Sequence, residues 1–253
     1  MSRHRFFVQS ALPDVEGAVR IPLSPKDVHH AVHVLRLKPG EQIVVVEPGG
    51  RSRIVHLETV AADQLTGRVL EDLTAHAEPR ITLVQDITKG SGMDEIVRHA
   101  VELGAERIVP LLTERTIVRL EVEKVAARTN RWQRIAEGAA RQSQRARLPK
   151  VDWPVTVGEL AALLDEFDVS VVLWEESAAE SLAGVLEAAG VTSARPDLNV
   201  ALVIGPEGGL TPGEVSVLSS GGARVASLGS AILRAETAAL TALALTANAL
   251  GAL

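Results

Sequence analysis

Short apolar segments alternate with amphipathic segments from residue 80 onward, and this alternation constrains the fold more than any other feature of the chain. Five apolar segments have the length and continuous hydrophobicity of buried strands, and they cover residues 80–87, 107–115, 169–176, 201–204 and 223–229. Helices are predicted between and after them, over residues 91–104, 121–146, 178–190, from 211 onward, and about 235–250. Strands that alternate with helices favour an α/β fold with a parallel sheet.

The first 75 residues have a different pattern, which predicts a β-rich region with one short helix. Strands are predicted at RFFV (5–8) and on both sides of a Pro-Gly-Gly turn within residues 41–60. The helix is predicted to start at Ser24 as its N-cap, with Pro25 at its first position. Polar residues 70–80 predict a linker. We therefore expect two domains, over residues 1–75 and 76–253.

The composition excludes several kinds of site. Cysteine is absent, which excludes disulfides, thiolate metal sites and a thiol nucleophile. His29 and His33 are spaced one helical turn apart, but the segment lacks the glutamate of an HExxH zinc motif, so we expect no metal. A signal peptide and an apolar segment long enough to cross a bilayer are not predicted, which favours a cytoplasmic protein without membrane contact.

Charge is distributed unevenly along a chain whose formal net charge is −6. Residues 81–150 contain 13 Lys and Arg against 9 Asp and Glu, whereas residues 151–253 contain 3 against 13. Within the middle part, residues 128–150 carry seven basic residues and a single Glu. Such a basic cluster is either a solvated helix face or a surface for a polyanion such as RNA, and both interpretations stay open here.

The segment GPEGG (205–209) joins the fourth predicted strand to a helix. Thr211 is predicted as the N-cap of that helix, Pro212 as its first residue and Glu214 as the partner in a capping box. The loop is not a P-loop, since no Lys-Ser/Thr follows its glycines, and Glu207 at a helix start would repel a phosphate. Taken alone, it is either a tight structural turn or a ligand-binding loop.

A second glycine-containing loop, LGSAILR (228–234), follows the last predicted strand. Parallel strands would bring this loop and the 205–209 loop to the same carboxyl edge of the sheet, where open α/β sheets bind their ligands. Backbone groups of the two loops could then hold an adenine or an amino-acid moiety. Arg234 and Glu236 stand where the second loop enters its helix, either as site residues or as a surface ion pair.

Seven blocks occur along the chain in this order: RFFV, HVLRLKPGE, KGSGMDEIVRHAVELG, RIVPLLTERT, RWQRIAEGAARQS, LVIGPEGGLTPGE and LGSAILRAETAALTAL. In this order they resemble the bacterial 16S ribosomal RNA uridine-N3 methyltransferases of the SPOUT class. The resemblance covers almost the whole chain, and its last two blocks are specific in combination.

The resemblance implies an N-terminal PUA-like β-barrel that helps to bind RNA, and a C-terminal SPOUT α/β domain whose backbone forms a trefoil knot. It also implies a homodimer that builds the active sites and S-adenosylmethionine as the cofactor, held in the knot largely by backbone groups. The residues that it assigns to the cofactor are Leu173, Trp174, Ile204, Gly205, Pro206, Glu207, Gly208, Gly209, Leu228, Gly229, Ser230, Ile232 and Leu233.

The implied reaction removes the N3 proton of a uridine while the methyl group moves to that nitrogen. Arg234 is the first candidate for stabilising the uracil oxygens as negative charge develops, and Glu236 for orienting Arg234 or accepting the proton through water. The implied partner is 16S ribosomal RNA or the small ribosomal subunit. The predicted RNA contacts are Arg3, Arg5, Arg36, Lys89, Arg141, Arg145 and Arg147.

The chain departs from the family pattern at three positions. The family usually has a basic residue at Gly92, commonly Glu at Arg141 and commonly Gly at Gln144. Two other functions are compatible with the residues alone: a nucleotide-binding α/β enzyme that uses the same loops, or a non-catalytic RNA-binding protein in which the loops are only turns. The first would need a phosphate-binding glycine pattern, which the chain lacks.

Overall fold

Two sheets, one mostly antiparallel and one parallel, organise the chain into two units. The first unit comprises Met1–His76 together with Gln144–Leu148, and the second comprises Ala77–Ser143 together with Pro149–Leu253. The segment 144–148 therefore packs with the N-terminal unit although it lies in the middle of the chain. The computed structural model describes residues 3–73, 80–116, 122–175, 180–195 and 197–253.

The first unit is a five-stranded sheet curled into a half-barrel. Its strands are β1 (Arg5–Phe7), β2 (Ala18–Ile21), β3 (Gln42–Val46), β4 (Ser52–Val60) and β5 (Leu65–Leu73). The order is β1-β3-β4-β5-β2, in which β1 is parallel to β3 and the other pairs are antiparallel. The helix α1 (Pro25–His29) continues into a π-helical turn over His30–Val34.

The strands predicted around the Pro-Gly-Gly turn are confirmed, and so is the start of α1, where the Asp27 amide donates to the Ser24 hydroxyl. The linker prediction is wrong for residues 70–73, which continue β5, and residues 74–79 lie outside the described part. This end of β5 is polar because Asp72 accepts a hydrogen bond of 2.7 Å from Arg51 on the neighbouring segment. Because paired charged residues replace apolar ones at this end of β5, the segment lacks the apolar alternation from which a strand is predicted.

The second unit contains the parallel sheet that the alternation predicts. Its strands are β6 (Arg80–Asp86), β7 (Ala105–Leu112), β8 (Lys150–Val151), β9 (Val155–Thr156), β10 (Val169–Leu173), β11 (Asn199–Ile204) and β12 (Arg224–Ala226). The order is β12-β10-β11-β6-β7-β8, with β9 paired to β7, and every pairing is parallel. The central strands β10 and β11 are almost wholly buried, as their continuous hydrophobicity requires.

In the described residues of this unit, six α-helices accompany the sheet: α2 (Gly92–Glu102), α3 (Val122–Gln142), α4 (Val157–Leu163), α5 (Leu182–Ala188), α6 (Pro212–Ser220) and α7 (Ala235–Ala249). The predicted capping box of α6 is present, with reciprocal bonds between Thr211 and Glu214. The sequence interpretation missed α4, although Thr156 and Glu159 form the same capping box there. Among the helices that can be described, none is long and apolar enough to span a bilayer.

Candidate active site

A cavity of about 480 Å³ opens at the carboxyl edge of the parallel sheet, where β10, β11 and β12 end side by side. The loops that follow β11 and β12 supply most of its wall, and α7 supplies the rest. Its lining consists of Leu173, Trp174, Glu175, Ile204, Gly205, Pro206, Glu207, Gly209, Ser227, Leu228, Gly229, Ala231, Ile232, Leu233, Arg234, Ala235 and Ala238. This volume lies within the usual range of small-molecule sites.

Close packing shapes the loop 205–209. The Gly209 amide donates to the Pro206 carbonyl over 2.9 Å, and Gly209 has a φ of 69°, the left-handed region that favours glycine. A Cβ on Gly205 would lie 2.9 Å from Cγ of Leu210, which is 1% exposed. The Trp174 indole donates to the Leu210 carbonyl over 3.1 Å. The loop therefore requires glycine at position 209 for its backbone conformation and at position 205 because a side chain has no space there.

The loop after β12 is more exposed. The Ser227 amide donates to the Glu180 carbonyl and the Leu182 amide donates to the Ser227 carbonyl, both over 2.9 Å, which fixes the start of the loop. Further along, Ile232 lines the cavity yet is 89% exposed, an unusual state for a large aliphatic side chain. Arg234 then occupies the N-cap position of α7 and faces the same cavity.

The structure brings together most of the residues predicted to hold a cofactor. Of the thirteen, Gly208 and Ser230 do not line the cavity, and the other eleven do. Of the two predicted catalytic residues, Arg234 lines the cavity and Glu236 does not. The Glu236 carboxylate instead lies near the start of α2, with Oε1 3.3 Å from where a Cβ on Gly92 would be.

Five lining residues were missed by the sequence analysis: Glu175, Ser227, Ala231, Ala235 and Ala238. Glu175 is the second residue after the end of β10, and its carboxylate occupies the space that a Cβ on Gly209 would take. Position after a strand end is the one sequence signal that could have identified it. Among the described residues, the cavity wall thus carries two carboxylates, those of Glu175 and Glu207, and one guanidinium, that of Arg234.

A second polar cluster at this edge of the sheet was also missed. Asp86, at the end of β6, is 2% exposed and accepts hydrogen bonds from the hydroxyls of Thr113 and Thr116, the first over 2.9 Å. Burial raises the pKa of Asp86 to about 6; the two hydroxyls act against this rise, and the charge of Glu214 adds to it. Asp86 lies at least 27 residues from the two threonines in sequence, so spacing gave no sign of the cluster.

Most of the predicted RNA contacts lie in the first unit. Arg3 is exposed and donates to the Gln42 amide oxygen over 3.0 Å. Arg5 donates to the Arg145 carbonyl over 2.9 Å, and Arg145 itself is only 6% exposed. The half-buried Arg147 lies along the turn between β3 and β4, where its Cγ would be 3.2 Å from a Cβ on Gly50.

The remaining members of the predicted RNA-binding set are Arg36, which is exposed in the first unit, and the exposed Lys89 and half-buried Arg141 in the second. The basic cluster 128–150 is partly neutralised within the second unit. Arg131 pairs with the buried Asp94, and Lys150 pairs with Asp152 over 2.8 Å. The cluster therefore offers fewer uncompensated charges than its sequence suggests.

The described part of the chain contains no cluster of three or more His, Asp or Glu side chains that could hold a metal ion. The spacing of His29 and His33 brings their rings to 4.6 Å between centroids, in a tilted arrangement. This pair needs no metal to explain it, because a helix places residues four apart on one face.

Comparison with known proteins agrees with the two-unit architecture. A family model described as an RNA methyltransferase domain matches residues 76–247, and one described as an RNA methyltransferase PUA domain matches residues 23–70. The ribosomal RNA small subunit methyltransferase E of Bacillus subtilis (strain 168) is 32% identical over 241 residues, which cover 94% of each chain. The protein of the same name from Mycobacterium bovis is 32% identical and covers 94% of this chain and 88% of its own.

Among solved structures, the chain is similar to a ribosomal RNA small subunit methyltransferase E from Neisseria gonorrhoeae, crystallised bound to S-adenosyl methionine. The identity is 29%, the TM-score is 0.80, and the alignment covers 98% of both chains. The resemblance inferred from the seven sequence blocks is thereby confirmed. This chain belongs to the RNA methyltransferase family whose curated members carry the name ribosomal RNA small subunit methyltransferase E.

Proposed function

We propose that this chain transfers a methyl group from S-adenosylmethionine to N3 of a uridine in 16S ribosomal RNA. The observation that carries the proposal is the cavity at the ends of β10, β11 and β12, in a chain that belongs to the RNA methyltransferase family. Open α/β sheets bind ligands at this edge. The S-adenosyl methionine bound to the Neisseria relative supports the choice of methyl donor.

The cavity fits S-adenosylmethionine in size, polarity and charge. Its volume of about 480 Å³ suits a molecule of this size, and the walls at Leu173, Ile204 and Leu228 suit an adenine ring. S-adenosylmethionine carries a sulfonium, an ammonium and one carboxylate, so its net charge is positive. The described part of the lining carries two carboxylates, Glu175 and Glu207, against one guanidinium. This excess of negative charge favours S-adenosylmethionine over a dinucleotide, whose pyrophosphate it would repel.

When bound, S-adenosylmethionine supplies an electrophilic methyl group, and the protein's task is to position the uridine and manage the N3 proton. Arg234, which lines the cavity, would stabilise the uracil oxygens as negative charge develops on the base. Glu236 lies outside the lining, so we assign it the role of orienting Arg234 or of accepting the proton through a water molecule. A sulfonium donor needs no metal for this transfer.

RNA binding is assigned mainly to the first unit and to the basic segment that follows α3. Exposed Arg3, Arg36 and Lys89 are the members of the predicted set best suited to contact phosphates directly. Arg145 is buried, and its carbonyl holds Arg5, so its proposed contribution is to shape the surface around Arg5. The match of residues 23–70 to an RNA methyltransferase PUA domain supports the assignment of RNA binding mainly to the first unit.

We further propose that residues 1–75 act as the RNA-binding PUA-like barrel and residues 76–253 as a SPOUT domain with a trefoil knot around the cavity. Membership of the family supports the knot, the homodimer and 16S ribosomal RNA or the small ribosomal subunit as partner. Because that partner is made and assembled in the cytoplasm of bacteria, we place the activity there.

Calorimetric titration of the purified chain with S-adenosylmethionine, and in parallel with NAD, tests the cofactor assignment. We expect binding of the first and no heat with the second. Transfer of a radiolabelled methyl group to 16S ribosomal RNA and to small subunits then tests the activity. Binding of NAD alone would favour the nucleotide enzyme, and RNA binding without either cofactor would favour the non-catalytic alternative.

A further inference from the structure

The turn 113–116 (Thr-Glu-Arg-Thr) follows β7 and contacts the loop 205–209 from outside the cavity. The Arg115 guanidinium donates to the Gly208 carbonyl over 2.5 Å. The aliphatic part of the same side chain covers Gly208, since Cδ would lie 3.5 Å from a Cβ there. Neither Gly208 nor Arg115 is among the residues that line the cavity, so this bond is made outside the ligand-binding surface.

The same turn also holds the start of α6, just beyond the loop. The Glu114 amide donates over 2.8 Å to Oε1 of Glu214. The other oxygen of that carboxylate, Oε2, accepts from the Thr211 amide over 2.8 Å and completes the capping box. One carboxylate therefore bridges the turn and the helix. The loop is thus tied to the turn both at Gly208 and at the helix that follows it.

The turn itself is anchored to the core. The Thr116 amide donates to the Thr113 carbonyl over 3.2 Å, and the Thr113 amide donates to the Thr116 hydroxyl over 2.6 Å. Both hydroxyls donate to the same oxygen of Asp86, which is 2% exposed at the end of β6. The turn is therefore hydrogen-bonded to a buried strand end through Thr113 and Thr116 and to the exposed Gly208 through Arg115.

From this arrangement we infer that Arg115 is a positioning residue, which fixes the loop 205–209 in the conformation that binds the cofactor before the cofactor arrives. A loop with three glycines loses more conformational entropy than others when it is ordered. If the loop is already anchored in the ligand-free protein, less conformational entropy is lost when the ligand binds. The inference rests on the proposed function for the identity of the ligand, but not for the anchoring itself.

Arg115→Met tests the inference, because methionine keeps much of the aliphatic cover and removes the donor. Amide hydrogen exchange is measured on the ligand-free full chain, where the Gly209 amide reports loop opening because it is bonded to Pro206. We expect exchange at Gly209 and the KM for S-adenosylmethionine to rise about three- to tenfold. The KM for RNA and the midpoint of thermal unfolding should stay unchanged. Arg115→Lys, which restores a cationic donor, should recover part of both effects.

Arg98→Met is the matched control. Arg98 is an exposed arginine on α2 that pairs with Glu95, and within the described part of the chain no hydrogen bond or ion pair joins it to the loop 205–209. Its loss should change neither exchange at Gly209 nor either KM. Thr116→Val keeps nearly the shape of the threonine side chain but removes both its bond to Asp86 and its bond from the Thr113 amide, so it should act in the same direction as Arg115→Met.

The results separate three cases. Unchanged exchange at Gly209 in Arg115→Met overturns the inference. Unchanged exchange together with a raised KM for RNA and a weaker salt dependence of RNA binding would instead make Arg115 a phosphate contact. If the wild-type chain binds no S-adenosylmethionine while Arg115→Met still speeds exchange, the proposed function fails and the anchoring stands.

Discussion

Gly205→Ala is the substitution whose effect on the cavity can be worked out most directly. The new Cβ would lie 2.9 Å from Cγ of Leu210 and 3.2 Å from its amide nitrogen. Carbon atoms pack best at about 3.5–4.0 Å, so one side must shift by roughly 0.6–1 Å. Leu210 is 1% exposed and packs in a core cluster with Val203 and Leu218. Because the core holds Leu210 in place, the loop 205–209 has to shift, and its position in the cavity wall changes.

We expect this overpacking to lower the free energy of unfolding by about 1–3 kcal/mol. The displaced loop should weaken S-adenosylmethionine binding about tenfold, equivalent to about 1.4 kcal/mol. Calorimetric titration gives the affinity, and urea unfolding gives the stability. The larger Gly205→Val should abolish binding in the same titration.

Gly213→Ala provides the matched control. Gly213 lies in the first turn of α6, close behind the loop, and a Cβ there has its nearest neighbour at 3.9 Å. Alanine should stabilise the helix by up to about 1 kcal/mol and leave the affinity unchanged. Wild-type affinity in Gly205→Ala, with Gly213→Ala behaving as expected, would refute the reasoning that the loop's position controls binding.

Three further predictions concern single side chains. Arg234→Ala should lower the single-turnover methylation rate about 10²–10³-fold and cofactor affinity much less, because its proposed role is in the transition state; equal losses would make it a cofactor ligand. Asp86 has a pKa of about 6 in the folded chain, above the ordinary value of 3.8, so the fold favours its protonated form. The free energy of unfolding should therefore fall by roughly 3 kcal/mol in total as pH rises from about 3 to about 7, and urea titrations should show this dependence flattened in Asp86→Asn. Gln144 has a φ of 56°, in the left-handed region. Gln144→Gly should relieve a backbone strain of about 1–2 kcal/mol, while the greater entropy of glycine in the unfolded chain costs about 0.5–1 kcal/mol. The free energy of unfolding should therefore not fall, and a lower urea midpoint would contradict this.

Local sequence signals predicted five of the seven strands of the parallel sheet, all but β8 and β9, and the two loops that supply most of the cavity wall. The individual cofactor residues were implied by the family resemblance. The capping box at Thr211 and Glu214 depends on residues three apart, and the strand ends at Leu173 and Ile204 close continuous apolar runs. Both the capping box and the end of an apolar run involve only residues that are close together in the sequence. They therefore predict structure without knowledge of the tertiary fold.

Features that depend on contacts between residues far apart in the chain could not be predicted from the sequence. The anchoring of Thr113 and Thr116 on Asp86 joins positions at least 27 apart, and the burial of Arg145 depends on packing with the N-terminal unit. The polar end of β5 was mistaken for a linker because charge pairing replaces apolar alternation there. In each case tertiary contacts, which no local pattern encodes, decide the outcome.

The position of the transferred methyl group tests the central claim most directly. The purified chain is incubated with labelled S-adenosylmethionine and 16S ribosomal RNA or small subunits from a strain that lacks this activity. The RNA is then digested to nucleosides and analysed by mass spectrometry. Label in 3-methyluridine, at one position of the RNA and lost in Arg234→Ala, is the predicted result. Label on a ribose oxygen or on another base, or no transfer by a chain that binds the cofactor, would contradict the account.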